Sequence, residues 1–101
     1  MLGTSVVGIV FVSVLGPIVE EVFYRVWIQS VLQRHWGIWG AIVTGALFDA
    51  EHVATWLWVL PLAITVTWLR YKYGSLLVTL VAHITNNSVV VLLFFLAGKR
   101  L

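Results

Sequence analysis

YGSLLVTLVAHITNNSVVVLLFFLAG, residues 73–98, contains no Asp, Glu, Lys or Arg and a single histidine, His83. At about 1.5 Å of helical rise per residue the stretch is long enough to cross the ~30 Å hydrocarbon layer of a bilayer. Working outward, residues 53–69 are wholly uncharged, and residues 36–48 are apolar apart from Thr44 and reach helix length with 49–54. The first nineteen residues carry no charge either. They lack a basic leader and a recognisable cleavage site, so they read as a retained membrane segment and not as a signal peptide. The chain is therefore expected to be an all-α polytopic bundle of about four transmembrane helices. Residues 1–101 form a single membrane domain. Breaks are expected at Gly16-Pro17, which interrupts the first helix, at Arg34 to Gly37, at 55–61 around Pro61, and at Arg70 to Gly74. A strand at Val89-Val90-Val91 is excluded, because lipid does not tolerate open sheet edges.

Composition agrees. The chain is 61% hydrophobic and 10% charged, against roughly a quarter charged in soluble domains. A soluble domain of this size could not hide six Trp and five Phe from water. Lipid must cover them, and the Trp residues fall near the proposed interfaces as an aromatic belt. The net charge of +2 includes no basic run, so nucleic acid is not an expected partner. Without cysteine there is no disulfide framework and no thiolate chemistry.

The placement of charge is the most informative feature, since ionisable groups inside a span are costly and default to functional candidates. Arg34, Arg70, Lys72, Lys99 and Arg100 lie at proposed span ends, three on one face against two on the other, so orientation is undecided. The four acids lie within spans. Glu20 and Glu21 stand with Arg25 in GPIVEEVFYR, and Asp49 and Glu51 flank His52 in LFDAEH. Counted from the Arg34 and Arg70 turns, Glu20, His52 and Asn87 all fall about 21 to 23 Å deep, with His83 one turn shallower.

Glu21 and Arg25, Phe48 and His52, and His83 and Asn87 are each spaced i,i+4, so each pair projects from one stripe. Water held between Glu20 and a neutral His52 would meet the need of hydrolysis for a base at hydrogen-bond distance. His83 and Asn87 would donate to a tetrahedral oxyanion. Glu21 with Arg25 reads as a structural ion pair, although spacing alone allows the two acids to exchange parts. Asp49, i,i+3 to His52, is positioned to orient its ring, Phe48 to pack, and Glu51 to point elsewhere and face water. Glu20, His52 and His83 could also supply three zinc ligands with an open fourth position, which the spacing permits without demanding.

In order along the chain, Glu20-Glu21-Val-Phe-Tyr-Arg25, Phe48-Asp-Ala-Glu-His52 and His83-Ile-Thr-Asn-Asn87 resemble the three motifs of the CPBP intramembrane protease family. That family includes the CAAX prenyl endopeptidases and the Abi bacteriocin-immunity proteins. Pro17 and Tyr73-Gly74-Ser75-Leu76 also resemble the usual context, and the resemblance covers roughly residues 15–95. It implies an integral membrane protein of a prokaryotic plasma membrane. It also implies an endopeptidase acting near the C-terminus of lipid-modified or membrane-embedded substrates, including prenylated CAAX-like ones. By that similarity Glu20 and His52 activate water, His83 and Asn87 form the oxyanion hole, and Glu21, Arg25, Phe48 and Asp49 support them. The family has been read both as a metalloprotease and as a glutamate-dependent hydrolase without metal. No cofactor is favoured, and zinc is the alternative. Val26 departs from the glycine that often follows the arginine, and members are usually longer. The partners expected are membrane lipid and a peptide or lipidated protein, with room for an oligomer or further N-terminal helices. A non-catalytic scaffold or immunity protein is the rival reading.

Overall fold

A computed structural model of the chain describes residues 6–98 as four helices. They are α1 (Val6–Trp36), α2 (Ile38–Glu51), α3 (Trp56–Tyr73) and α4 (Leu76–Leu96). Helices α1 and α4 are long and apolar enough to cross a membrane, with mean hydropathy 2.1 and 1.9. The 14 residues of α2 reach only about 21 Å, so α2 and α3 form a shorter hairpin whose 52–55 turn lies beside the longer pair. The molecule is an all-α membrane bundle. Its six Trp side chains all face outward, as lipid-facing surfaces allow, and the interior holds mainly polar groups around Tyr24, Phe48 and Ala63.

The expected break at Gly16-Pro17 does not occur. Helix α1 runs through it, because residues Phe11–Leu15 wind as a π-helix in which the Gly16 N–H bonds the Phe11 carbonyl. The wider turn makes room for the proline ring that an α-helical turn would exclude. Gly16 suits this position, since a Cβ there would stand 3.1 Å from the Phe11 oxygen. Pro61 likewise lies inside α3, and the chain reverses earlier, at 52–55. Lys99 and Arg100 lie outside the described residues.

The other two reversals are glycine turns. Gly37 has φ 59° and separates α1 from α2, and Gly74 is left-handed at φ 65° and closes α3. Behind Gly37 the two helices cross at close range: a Cβ on Gly40 would meet the Leu32 carbonyl oxygen at 2.2 Å and the Gln33 nitrogen at 2.6 Å. These are backbone atoms and cannot rotate away. Gly40→Ala is therefore expected to destabilise the bundle by about 2 kcal/mol or more, read as a lowered unfolding midpoint in detergent, whereas Ala46→Gly on the exposed face of α2 costs about 1 kcal/mol or less.

Candidate active site

Five residues of α1 at intervals of four, Ser13, Pro17, Glu21, Arg25 and Gln29, are all buried. On a regular α-helix each interval of four drifts about 40° around the axis, so such a stripe would wander off the interior face. Two π-helical stretches, Phe11–Leu15 and Val22–Gln29, widen the turn and keep the stripe in line. A second stripe beside it carries Glu20 and Tyr24.

Glu21 divides its carboxylate between two partners. Oε1 accepts from Arg25 Nε at 3.1 Å and Oε2 accepts from His83 Nδ1 at 2.6 Å, with all three side chains buried. The guanidinium of Arg25 lies 4.9 Å over the Phe48 ring, and its two terminal nitrogens have no hydrogen-bond partner. Glu20 faces the other way. Its Oε2 stands 3.5 Å from His52 Nε2 and its Oε1 stands 3.9 Å from His83 Nε2. The Glu20 and His52 side chains remain 24% and 27% exposed against 2% for His83, so the site opens on the Glu20/His52 side.

Helix α2 ends at Glu51, and His52 leaves helical geometry at φ −87° and ψ 59°. Its Nδ1 lies 2.9 Å from the Phe48 carbonyl, one of the carbonyls that a helix end leaves without a partner. A carbonyl only accepts, so Nδ1 carries a proton and Nε2 is the nitrogen that faces Glu20. The expected steering of His52 by Asp49 is corrected. Spacing of i,i+3 aligns side chains only while the helix continues, and residue 52 has already turned away. Asp49 is instead buried toward a groove between α2 and α3, and its Oδ1 has no partner.

Glu51 is corrected too. It accepts a hydrogen bond from the Tyr24 hydroxyl and joins Glu20 and His52 in a group whose ligand atoms lie within 4.8 Å of one another. Two carboxylates and an imidazole around an exposed opening form a donor set that fits a divalent cation. The trio expected from sequence was Glu20, His52 and His83; Glu51 joins Glu20 and His52 in the compact group, and His83 Nε2 stands 3.9 Å from Glu20 Oε1 with its Nδ1 held by Glu21. Tyr24, one turn from Glu20, was legible as its neighbour by the i,i+4 rule but was missed.

The depth estimate also needs correcting. His83 lies in the layer of Glu20 and His52, and Asn87 lies one turn beyond it. Counting from the turns assumed a common plane, but Arg70 Nη2 bonds Ser30 Oγ at 3.2 Å. Ser30 lies one turn inward of Arg34, and the contacts of His83 with Glu21 and Glu20 set α4 about one turn deeper than the count assumed. Asn87 Nδ2 donates to the Val12 carbonyl at 2.9 Å, while its Oδ1 accepts from Asn86 Nδ2 at 3.3 Å. In the π register residue 17 would bond the carbonyl of residue 12, and Pro17 has no N–H to offer. Asn87 fills that vacancy from the neighbouring helix.

Sequence comparison joins this geometry to a known group. A family model described as Type II CAAX prenyl endopeptidase Rce1-like matches residues 2–89. The chain belongs to this family. The match spans the acids of α1, the α2–α3 hairpin and the histidine and asparagine of α4, and it agrees with the membrane bundle. No curated protein and no solved structure matches the chain significantly.

The Asn87–Val12 bond has a measurable signature. Asn87→Leu is expected to cost about 1 to 3 kcal/mol of stability, since it leaves a half-buried carbonyl unpaired. In a Pro17→Ala background, where an N–H becomes available, the same change costs less. A double-mutant cycle on unfolding in detergent detects the difference as a coupling of about 0.5 kcal/mol or more.

Proposed function

We propose that this chain is an intramembrane endopeptidase that hydrolyses a peptide bond in a membrane-associated substrate, with prenylated CAAX-like tails as the substrate class its family points to. The observation that carries the reading is the approach of Glu20 Oε2 and His52 Nε2 to 3.5 Å at the open side of the site. Neither can donate to the other while Glu20 is ionised and His52 neutral, whereas a water between them donates to both. Its oxygen is then held with a lone pair free toward a substrate carbonyl. As that oxygen bonds to the carbonyl carbon, its proton passes to Glu20 or His52, a contribution of about 10² to 10⁴ in rate. The same proton is returned to the amine nitrogen as the C–N bond breaks.

His83 is the proposed oxyanion donor. Its Nδ1 is held by Glu21, so donation to an oxyanion would come from Nε2, which faces Glu20. Asn87 has one amide hydrogen left after the Val12 bond and is the proposed second donor. A bound divalent cation would be held by Glu20, Glu51 and His52 and would supply Lewis acidity toward the same water. The prokaryotic plasma membrane is the proposed location.

The test is cleavage of a panel of membrane peptides, prenylated and not, by protein in liposomes. Glu20→Gln and His52→Ala are each expected to slow cleavage at least about 100-fold, and His35→Ala, at the far end of α1, to leave it unchanged. Unchanged activity of Glu20→Gln would remove Glu20 from the reaction, and no cleavage by the unaltered protein itself would favour the non-catalytic scaffold or immunity reading. Loss of activity with chelator, restored by zinc, would move the water onto a metal.

A further inference from the structure

We propose that the cleft between Arg34 and Arg70 binds the phosphate of an anionic glycerophospholipid. The cleft has a volume of about 300 Å³ and is lined by Ser30, Gln33, Arg34, Arg70, Tyr71 and Gly74. It takes no part in the chemistry above. Glu20, Glu21, Asp49 and Glu51 belong to the other layer, and among the described residues neither arginine has a carboxylate partner. Two cations at one membrane end without a counter-charge draw an anion from outside the protein.

The hydrogen bonding of the lining gives this attraction a shape. Ser30 Oγ donates to the Arg25 carbonyl at 3.0 Å and accepts from Arg70 Nη2 at 3.2 Å. The Gly74 carbonyl accepts from Arg70 Nη1 at 2.9 Å. Gln33 Oε1 accepts from Gln29 Nε2 at 3.0 Å, which leaves the Gln33 amide hydrogens unused. These acceptors are therefore taken. What remains is donors: the Gln33 amide, the Arg34 guanidinium, the remaining N–H groups of Arg70 and the Tyr71 hydroxyl. Arg70 is held in place by its two bonds, so little side-chain freedom is lost when an anion arrives. A guanidinium pair suits phosphate, which accepts through several oxygens at once.

Position selects the lipid over the free ion. The cleft opens at the end of the bundle where the exposed rings of Trp36, Tyr71 and Tyr73 lie, at the level of headgroups, with the apolar flanks of α1 and α3 below it to receive acyl chains. A choline or ethanolamine headgroup would bring its ammonium against two arginines, so a headgroup without a cation is preferred.

The experiment is lipid retention by the detergent-solubilised protein under native mass spectrometry, from an equimolar mixture of phosphatidylglycerol and phosphatidylcholine. Phosphatidylglycerol is expected to be retained preferentially, and Arg34→Gln to reduce that preference about fivefold. Lys72→Gln removes the same charge from a side chain held 4.8 Å over the Trp68 ring and 5.5 Å over the Tyr73 ring, and is expected to leave the preference intact. Arg34 makes no contact that the fold needs, so its variant reads the site without unfolding it. Equal retention of the two lipids, an equal effect of Lys72→Gln, or release of phosphatidylglycerol by inorganic phosphate would overturn the proposal.

Discussion

A carboxylate buried among membrane helices must be neutralised and hydrogen-bonded where it stands, because no water is there to do it. Glu21 meets that requirement with two partners, Arg25 along its own helix and His83 from α4. The orientation of the rest of the site follows. Holding His83 by Nδ1 turns its Nε2 toward Glu20, and with Glu21 committed, the adjacent Glu20 is the acid that faces the opening. Breaking a buried pair by removing one member is costlier than the pair's own net worth, since the charge left behind has no alternative partner. The ion pair is in this sense the frame, and Glu20 with His52 the exposed edge of the site.

The same economy of partners explains the winding of α1. A proline inside a membrane helix orphans a carbonyl, and lipid cannot satisfy it. Here the π register shifts the deficit to Val12, and Asn87 meets it. The residue proposed to assist an oxyanion is thus also a clasp between α1 and α4, and its amide is oriented by that bond. Where α2 ends, His52 caps the Phe48 carbonyl in a comparable way. Two side chains of the site are aimed by backbone groups that their helices left without partners.

Charge is segregated along the bundle. The acids gather in the layer of Glu20 and His52, while Arg34, Arg70 and Lys72 collect toward the glycine turns at Gly37 and Gly74. The first group is served by histidines and Arg25. Lys72 rests over aromatic rings, Arg70 bonds Ser30 and the Gly74 carbonyl, and Arg34 lies exposed beside them. The proposed hydrolytic site and the proposed lipid site are thereby separated by two turns of α1 or more.

The number of helices, their membrane character, the turns at Gly37 and Gly74 and the pairing of Glu21 with Arg25 were legible from residue order alone. Each depends on local periodicity, on the length of an apolar run or on the φ that only glycine adopts easily. The convergence of Glu20, His52 and His83 was also legible, because ionisable groups in apolar spans have few places to go. Tertiary structure alone decided the rest. Asp49 left the site and Glu51 entered it because α2 stops one residue before His52. His83 rather than Asn87 shares the layer of Glu20 because its contacts with Glu21 and Glu20 set α4 about one turn deeper. Which nitrogen of each histidine faces the opening depends on a carbonyl or carboxylate contributed across space, at Phe48 and Glu21. Helical spacing reports only who is near along a rod; how far each rod is slid, and where it ends, is set by the neighbours it packs against.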